Sequence, residues 1–189
     1  MLKPLLITTF LLLITGISLF YYQENIKSID TQNLKYSKQK LLEQLDTKEL
    51  NKINILADGS FVSLFQLQNG DWQEQSSKYE ADKSSIHDLL LKLTQTNTGN
   101  LVSSNPDYHE KFRLLEPPEK PEDWEKDFFA NSITLLKGDD TIILSLLLGK
   151  NRKNGEGQYI RYNGSNKVFL IHGLISLDSN ANDWLNKEL

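Results

Sequence analysis

The Gly149-Lys150 pair is the first place where this sequence invites chemistry, because Gly-Lys closes the loops that cradle nucleotide phosphates. Such a loop also needs an upstream glycine and a Ser or Thr after the lysine. Asn151 follows Lys150 and no glycine stands in the apolar run before it, so a hairpin loop is expected there. Asp178, Asn180 and Asn182 put oxygen side chains at the first, third and fifth positions of a calcium loop. Asp183 stands where that loop needs its glycine, and Leu189 where it needs a bidentate Glu, so Ser179 or Asn180 reads as a helix cap. His87, His109 and His172 are scattered, and without any cysteine they complete no zinc set. Asp139-Asp140 beside Gly138 is a turn rather than a carboxylate pair. Gly164-Ser165 lies between strands and is no nucleophile elbow; Asn163-Gly164-Ser165 does match a glycosylation sequon. No catalytic, cofactor-binding or metal-ligating residue is assigned, no cofactor is expected, and the chain is not expected to be an enzyme.

The elements behind these residues divide between a membrane and water. Residues 4–22, PLLITTFLLLITGISLFYY, form an uncharged apolar run. A helix of about 20 such residues covers a bilayer's hydrocarbon core and closes its own backbone hydrogen bonds there. Lys3 and the small residues Gly16 and Ser18 also fit a cleaved signal peptide. The run continues past them to Tyr21 and Tyr22, placed for an interfacial aromatic belt, so an uncleaved signal anchor is the preferred reading. The expected organisation is a transmembrane anchor over 1–22, a juxtamembrane stalk over 23–40 and a water-soluble domain over 41–189. The short N-terminal tail favours an inner-membrane, single-pass protein with its C-terminal domain extracytoplasmic. Membrane lipid is the partner of residues 4–22, and membrane proteins are the further expected partners. The oligomeric state is left open.

A formal charge of −4 over 189 residues provides no basic stripe for nucleic acid. Lys150, Arg152 and Lys153 cluster, but Glu156 sits beside them and a solvated loop is expected.

Within the soluble part, residues 45–50 read as a helical turn. Ile53 to Leu56, Phe61 to Gln68 and Asp71 to Glu74 are strand-forming runs separated by Asp58-Gly59 and Asn69-Gly70, two hairpin signals. Asp82 to Thr96 is an amphipathic helix, with Ile86, Leu89, Leu90 and Leu93 on one face and Asp82 as its cap. Leu101-Val102 suggests a short strand. Residues 132–137, 141–148, 158–162 and 167–172 form a second meander, and a terminal helix is expected from Ser179 to Leu189. The class is α+β: antiparallel meanders packed with one amphipathic helix and a C-terminal helix.

Between Leu115 and Asn131 the chain is acidic and punctuated by Pro117, Pro118 and Pro121. Trp124, Phe128 and Phe129 have the spacing to clamp that stretch onto the core. Trp72, Tyr79, Trp124, Phe128 and Tyr159 are the aromatics nominated for a partner or ligand surface.

The series of motifs resembles one family. It includes Leu45, Ile53 and Ile55 in a first strand, Asn69-Gly70-Asp71-Trp72, Ala81-Asp82 opening the leucine helix, and Phe112-x-Leu114 before a proline. Leu148-Gly149, Gln158-Tyr159-Ile160-Arg161, Val168-Phe169-Leu170 and Asp183-Trp184-Leu185 complete it. The order is similar to that of the domain of unknown function 4340, over about Leu41 to Leu189, with Glu116 to Asn131 looking like an insertion. The resemblance implies a mainly antiparallel α+β domain behind an N-terminal anchor, auxiliary to an ABC-type export system, and carries over no catalytic residue. The expected function is a membrane-tethered, non-catalytic accessory or scaffold domain working with a membrane complex. The alternative is an extracytoplasmic ligand-binding or sensor domain for a glycan or lipid.

Overall fold

The computed structural model describes residues 14–23, 35–42, 49–118, 120, 123–125, 127–153 and 155–187. The proposed anchor lies largely outside them, as do the helical turn at 45–50 up to Lys48 and most of the stalk. Residues 14–23, from within the anchor to the first residue of the stalk, are helical, with Ile14, Ile17, Leu19, Phe20, Tyr21 and Tyr22 all exposed. Among the described residues no helix is long and apolar enough to cross a membrane.

The fold is α+β, built on one eight-stranded antiparallel sheet. Its strands are β1 (Leu50–Ala57), β2 (Ser60–Gln66), β3 (Trp72–Glu74), β4 (Asn100–Ser103), β5 (Asn131–Lys137), β6 (Ile142–Asn151), β7 (Gln158–Tyr162) and β8 (Val168–Ile171). Helix α1 (Lys83–Gln95) crosses between β3 and β4. The two expected meanders are both present, but they are halves of one sheet: β1 pairs with β5, giving the order β3-β2-β1-β5-β6-β7-β8-β4. The joining register sets Ile53 against Leu135 and Ile55 against Ile133, fully buried pairs whose match fixes which face turns inward.

Side-chain alternation gives the sheet two distinct faces. On one, Ile53, Ile55, Leu64, Ile133, Leu135, Leu146 and Ile160 pack beneath Ile86, Leu89 and Leu93 of α1, together with Leu41, Leu42 and Trp184. Full burial of one such side chain contributes about 1.5–3 kcal/mol, so this layer supplies most of the cohesion. The other face carries a smaller cluster of Phe112, Leu114, Ala130, Leu147 and Val168. Strand β6 lies under both clusters and is buried at Leu144 and from Leu146 to Gly149, as a doubly covered strand should be. It also runs through Gly149 to Asn151, where a loop was expected.

Helix α1 starts at its predicted cap: both carboxylate oxygens of Asp82 accept the N–H groups of Ser84 and Ser85, at 2.9 and 3.4 Å. The expected terminal helix is corrected. Residues Ala181–Trp184 form a single 3-10 turn capped by Asn180, after which Leu185 extends and bridges Ala81. Trp184 is buried in the main core with its indole N–H bonded to the Asp178 carbonyl, and pairing with Ala81 takes the backbone out of helical geometry. The Leu101-Val102 strand exists as β4, paired with β8 at the sheet's edge.

Candidate functional site

The most constructed polar site lies on the second face, around Arg161. This side chain projects from β7 between Leu147 and Val168, its cross-strand neighbours, and is 3% exposed. Burying a guanidinium is costly unless every donor finds an acceptor. All five of its N–H bonds do: Nε and Nη2 reach the Leu114 carbonyl, Nη1 reaches the Ser165 carbonyl, and both terminal nitrogens reach Glu116 Oε1. Arg161 thereby ties the segment arriving from β4 to the β7–β8 turn.

Gly149 lets that segment close. A Cβ there would stand 2.4 Å from the Phe112 carbonyl oxygen and 2.9 Å from Leu114 Cγ. Its glycine therefore serves backbone contact, not phosphate. Tyr159 stacks on Phe112 at 4.5 Å, and buried His109 contacts the Asn166 carbonyl through Nε2. Arg113 turns through a left-handed conformation and donates to the Phe129 carbonyl and Asn131 Oδ1, with Trp124 over its guanidinium.

The five nominated aromatics do not converge. Trp72 is buried in the main core beneath α1, while Tyr79 is 62% exposed on the turn after β3. Trp124 and Phe128 sit on the segment leading to β5, and Tyr159 is half-buried against the second cluster. Trp72 lines an apolar cleft of about 330 Å³ between the β2–β3 hairpin and α1, with Leu50, Ile86 and Leu90. Toward β2 the second face shows a row of Ser63, Asn54, Thr134 and Ser145 across four strands, flanked by exposed Phe61 and Ile142. Hydrogen bonds of 2.9 and 3.0 Å link Ser63 to Asn54 and Thr134 to Ser145.

Several carboxylates are held by local hydrogen bonds. Burial opposes ionisation of Glu74, but N–H bonds from Ser76 and Ser77 outweigh it and hold its carboxyl below the usual range. Ser85 and the α1 N-terminus lower Asp82, Lys83 lowers Asp71, and Thr141 lowers Asp139 within the Gly138–Asp140 turn. His87 and His172 are exposed, one on α1 and one just after β8. No three His, Asp or Glu side chains among the described residues are grouped to hold a metal ion.

The sequence profile of the family described as Domain of unknown function (DUF4340) matches residues 72–189, well over half the chain. The chain belongs to this family. No curated protein and no solved structure matches it. The DUF4340 match begins at Trp72, not near Leu41, so β1, β2 and the Leu45, Ile53 and Ile55 motif lie outside it. Inside it, the family-like motifs meet: Phe112-x-Leu114, Leu148-Gly149, Tyr159-Ile160-Arg161 and Val168 all touch the Arg161 site. Sequence reasoning quoted Arg161 only as part of a motif and missed its role. An arginine alternating with apolar residues in a strand was the available signal.

Proposed function

We propose that this protein is a membrane-tethered, non-catalytic accessory domain that works beside a membrane complex, with an ABC-type transport system as the class of partner. It would be a single-pass protein of the inner membrane with its folded domain extracytoplasmic. One observation carries the tether. In the helix at 14–23, Ile14, Ile17, Leu19, Phe20, Tyr21 and Tyr22 are each about half to two-thirds exposed, on every side of the helix. A helix apolar all round belongs in a protein core or in lipid, and here none of the described residues covers it.

The scaffold role draws on the dispersal of the aromatics over two faces and on the open stretch of sheet around exposed Phe61. The competing reading, a sensor for a glycan or lipid, is favoured by the Trp72 cleft. The test is purification of the full chain from native membranes in mild detergent. Co-recovery of integral membrane subunits is expected. Repeated recovery of the protein alone would overturn the proposal.

A further inference from the structure

Residues 35–42 rest on the domain, and the contacts are specific. Leu41 N–H donates to the Thr96 carbonyl at 2.9 Å, Thr98 N–H to the Gln39 carbonyl at 2.7 Å, and Lys40 Nζ to the Gln95 carbonyl at 2.7 Å. On the other side Tyr36 meets Phe169 edge-on at 4.9 Å, and Lys167 Nζ donates to the Tyr36 hydroxyl at 2.8 Å. The segment therefore lies between the C-terminal end of α1 and β8. This gathers Lys35, Lys38, Lys40, Lys92 and Lys167 on one side of the domain.

From Lys35 to Leu42 the sequence has no acidic residue, in a protein of net charge −4. Asp88 stands one turn before Lys92 on α1. Exposed Leu91 follows the same helix, and exposed Ile142 shares a cleft with Gln39, Lys40 and Leu41. A second cleft, of about 280 Å³, opens between Ser37, Lys92, Gln95 and His172. Lysines bordered by exposed aliphatic side chains are the chemistry of an interfacial surface. Residues 24–34 connect this side to the N-terminal helix and reach at most about 40 Å even if fully extended.

We infer that the face bearing Lys35, Lys38, Lys40, Lys92 and Lys167 docks on the bilayer and binds anionic lipid headgroups. This rests on the tether proposed above and adds an orientation to it: the opposite edge, at β2 and β3, is turned outward for partners. Each lysine near an anionic surface strengthens association on the order of fivefold, and salt screens the effect.

The native chain has no cysteine, so Gln39→Cys gives the full-length protein a single thiol for a fluorophore beside this face. The protein is placed in vesicles of phosphatidylcholine alone or mixed with phosphatidylglycerol, each with a headgroup-nitroxide quencher. Quenching several-fold stronger on the anionic vesicles is expected, falling to the neutral-vesicle level in high salt and in the K35E/K38E/K92E variant. Those three side chains are exposed, so a circular dichroism spectrum like that of the parent is expected for the variant. Equal quenching on both vesicles, strong or weak, with the protein still floating with them, would overturn the docking face and leave the tether standing. Failure of the parent chain to float with either vesicle would overturn the tether itself.

Discussion

Arg161 grips the backbone of Leu114 with two prongs, Nε and Nη2 donating to one carbonyl oxygen at 3.2 and 3.0 Å. That grip holds the segment from β4 to β5 across the second face. Replacing Arg161 with Met would strand the Leu114 and Ser165 carbonyls without donors in a buried place. A loss of about 2–4 kcal/mol is expected in urea unfolding of the detergent-solubilised chain. Arg161→Lys recovers only part of it, since an ammonium cannot reproduce the planar fork. Glu116→Gln should cost under about 1 kcal/mol, because its carboxylate is more than half exposed and solvent screens the pair.

Gly149 and Gly138 make a matched comparison. A methyl at Gly149 collides with the Phe112 carbonyl oxygen, whereas at Gly138 the nearest atom is 3.9 Å away. Gly149→Ala should lower the unfolding free energy by about 1–3 kcal/mol, and Gly138→Ala should stay within about 0.5 kcal/mol of the parent. Equal effects at the two positions would contradict the close approach of the Phe112–Leu114 segment.

Much of the fold is legible in the sequence. The Asp-Gly and Asn-Gly turns and the Ile86, Leu89, Leu93 stripe specify local geometry, and β1 to β3 and α1 appear where those signals place them. The pairing of β1 with β5 was not legible, because nothing local in Ile53 or Leu135 names a partner some eighty residues away. The final 3-10 turn was misread as a helix for a related reason: Trp184, Leu185 and Leu189 suggest one apolar helix edge, but contacts with Ala81 and Asp178 set the backbone at Trp184 and Leu185. The placement of the nominated aromatics was not legible either, because aromatic identity does not say whether a side chain faces the core or the solvent. Trp72 went into the core and Tyr79 stayed outside.

The cap on α1 is a separate lever. Asp82→Ala removes acceptors from the Ser84 and Ser85 N–H groups and should cost about 1 kcal/mol. Asp82→Asn should retain most of it. Thermal or urea unfolding of the two variants side by side measures the difference.

The pH response follows from the direction of each shift. Glu74, Asp82, Asp71 and Asp139 have folded-state pKa values below their ordinary 4.5 or 3.8, so they add stability above those values. That contribution is lost as pH falls through the folded values. Lys83 is raised above 10.5 by Asp71, so its contribution is full below 10.5 and disappears as pH climbs through its higher folded value. A stability plateau from about pH 5 to pH 10, with acid loss below about pH 4, is expected from urea midpoints across pH. A marked loss already at pH 6 would contradict these assignments.

The proposed tether requires residues 4–22 to remain embedded in lipid. Alkaline carbonate extraction of native membranes, with mass spectrometry of the N-terminus, tests this directly. The intact chain should stay in the membrane pellet with Leu2 and Lys3 still attached. A mature chain beginning near Leu19 and released into the carbonate wash would contradict it.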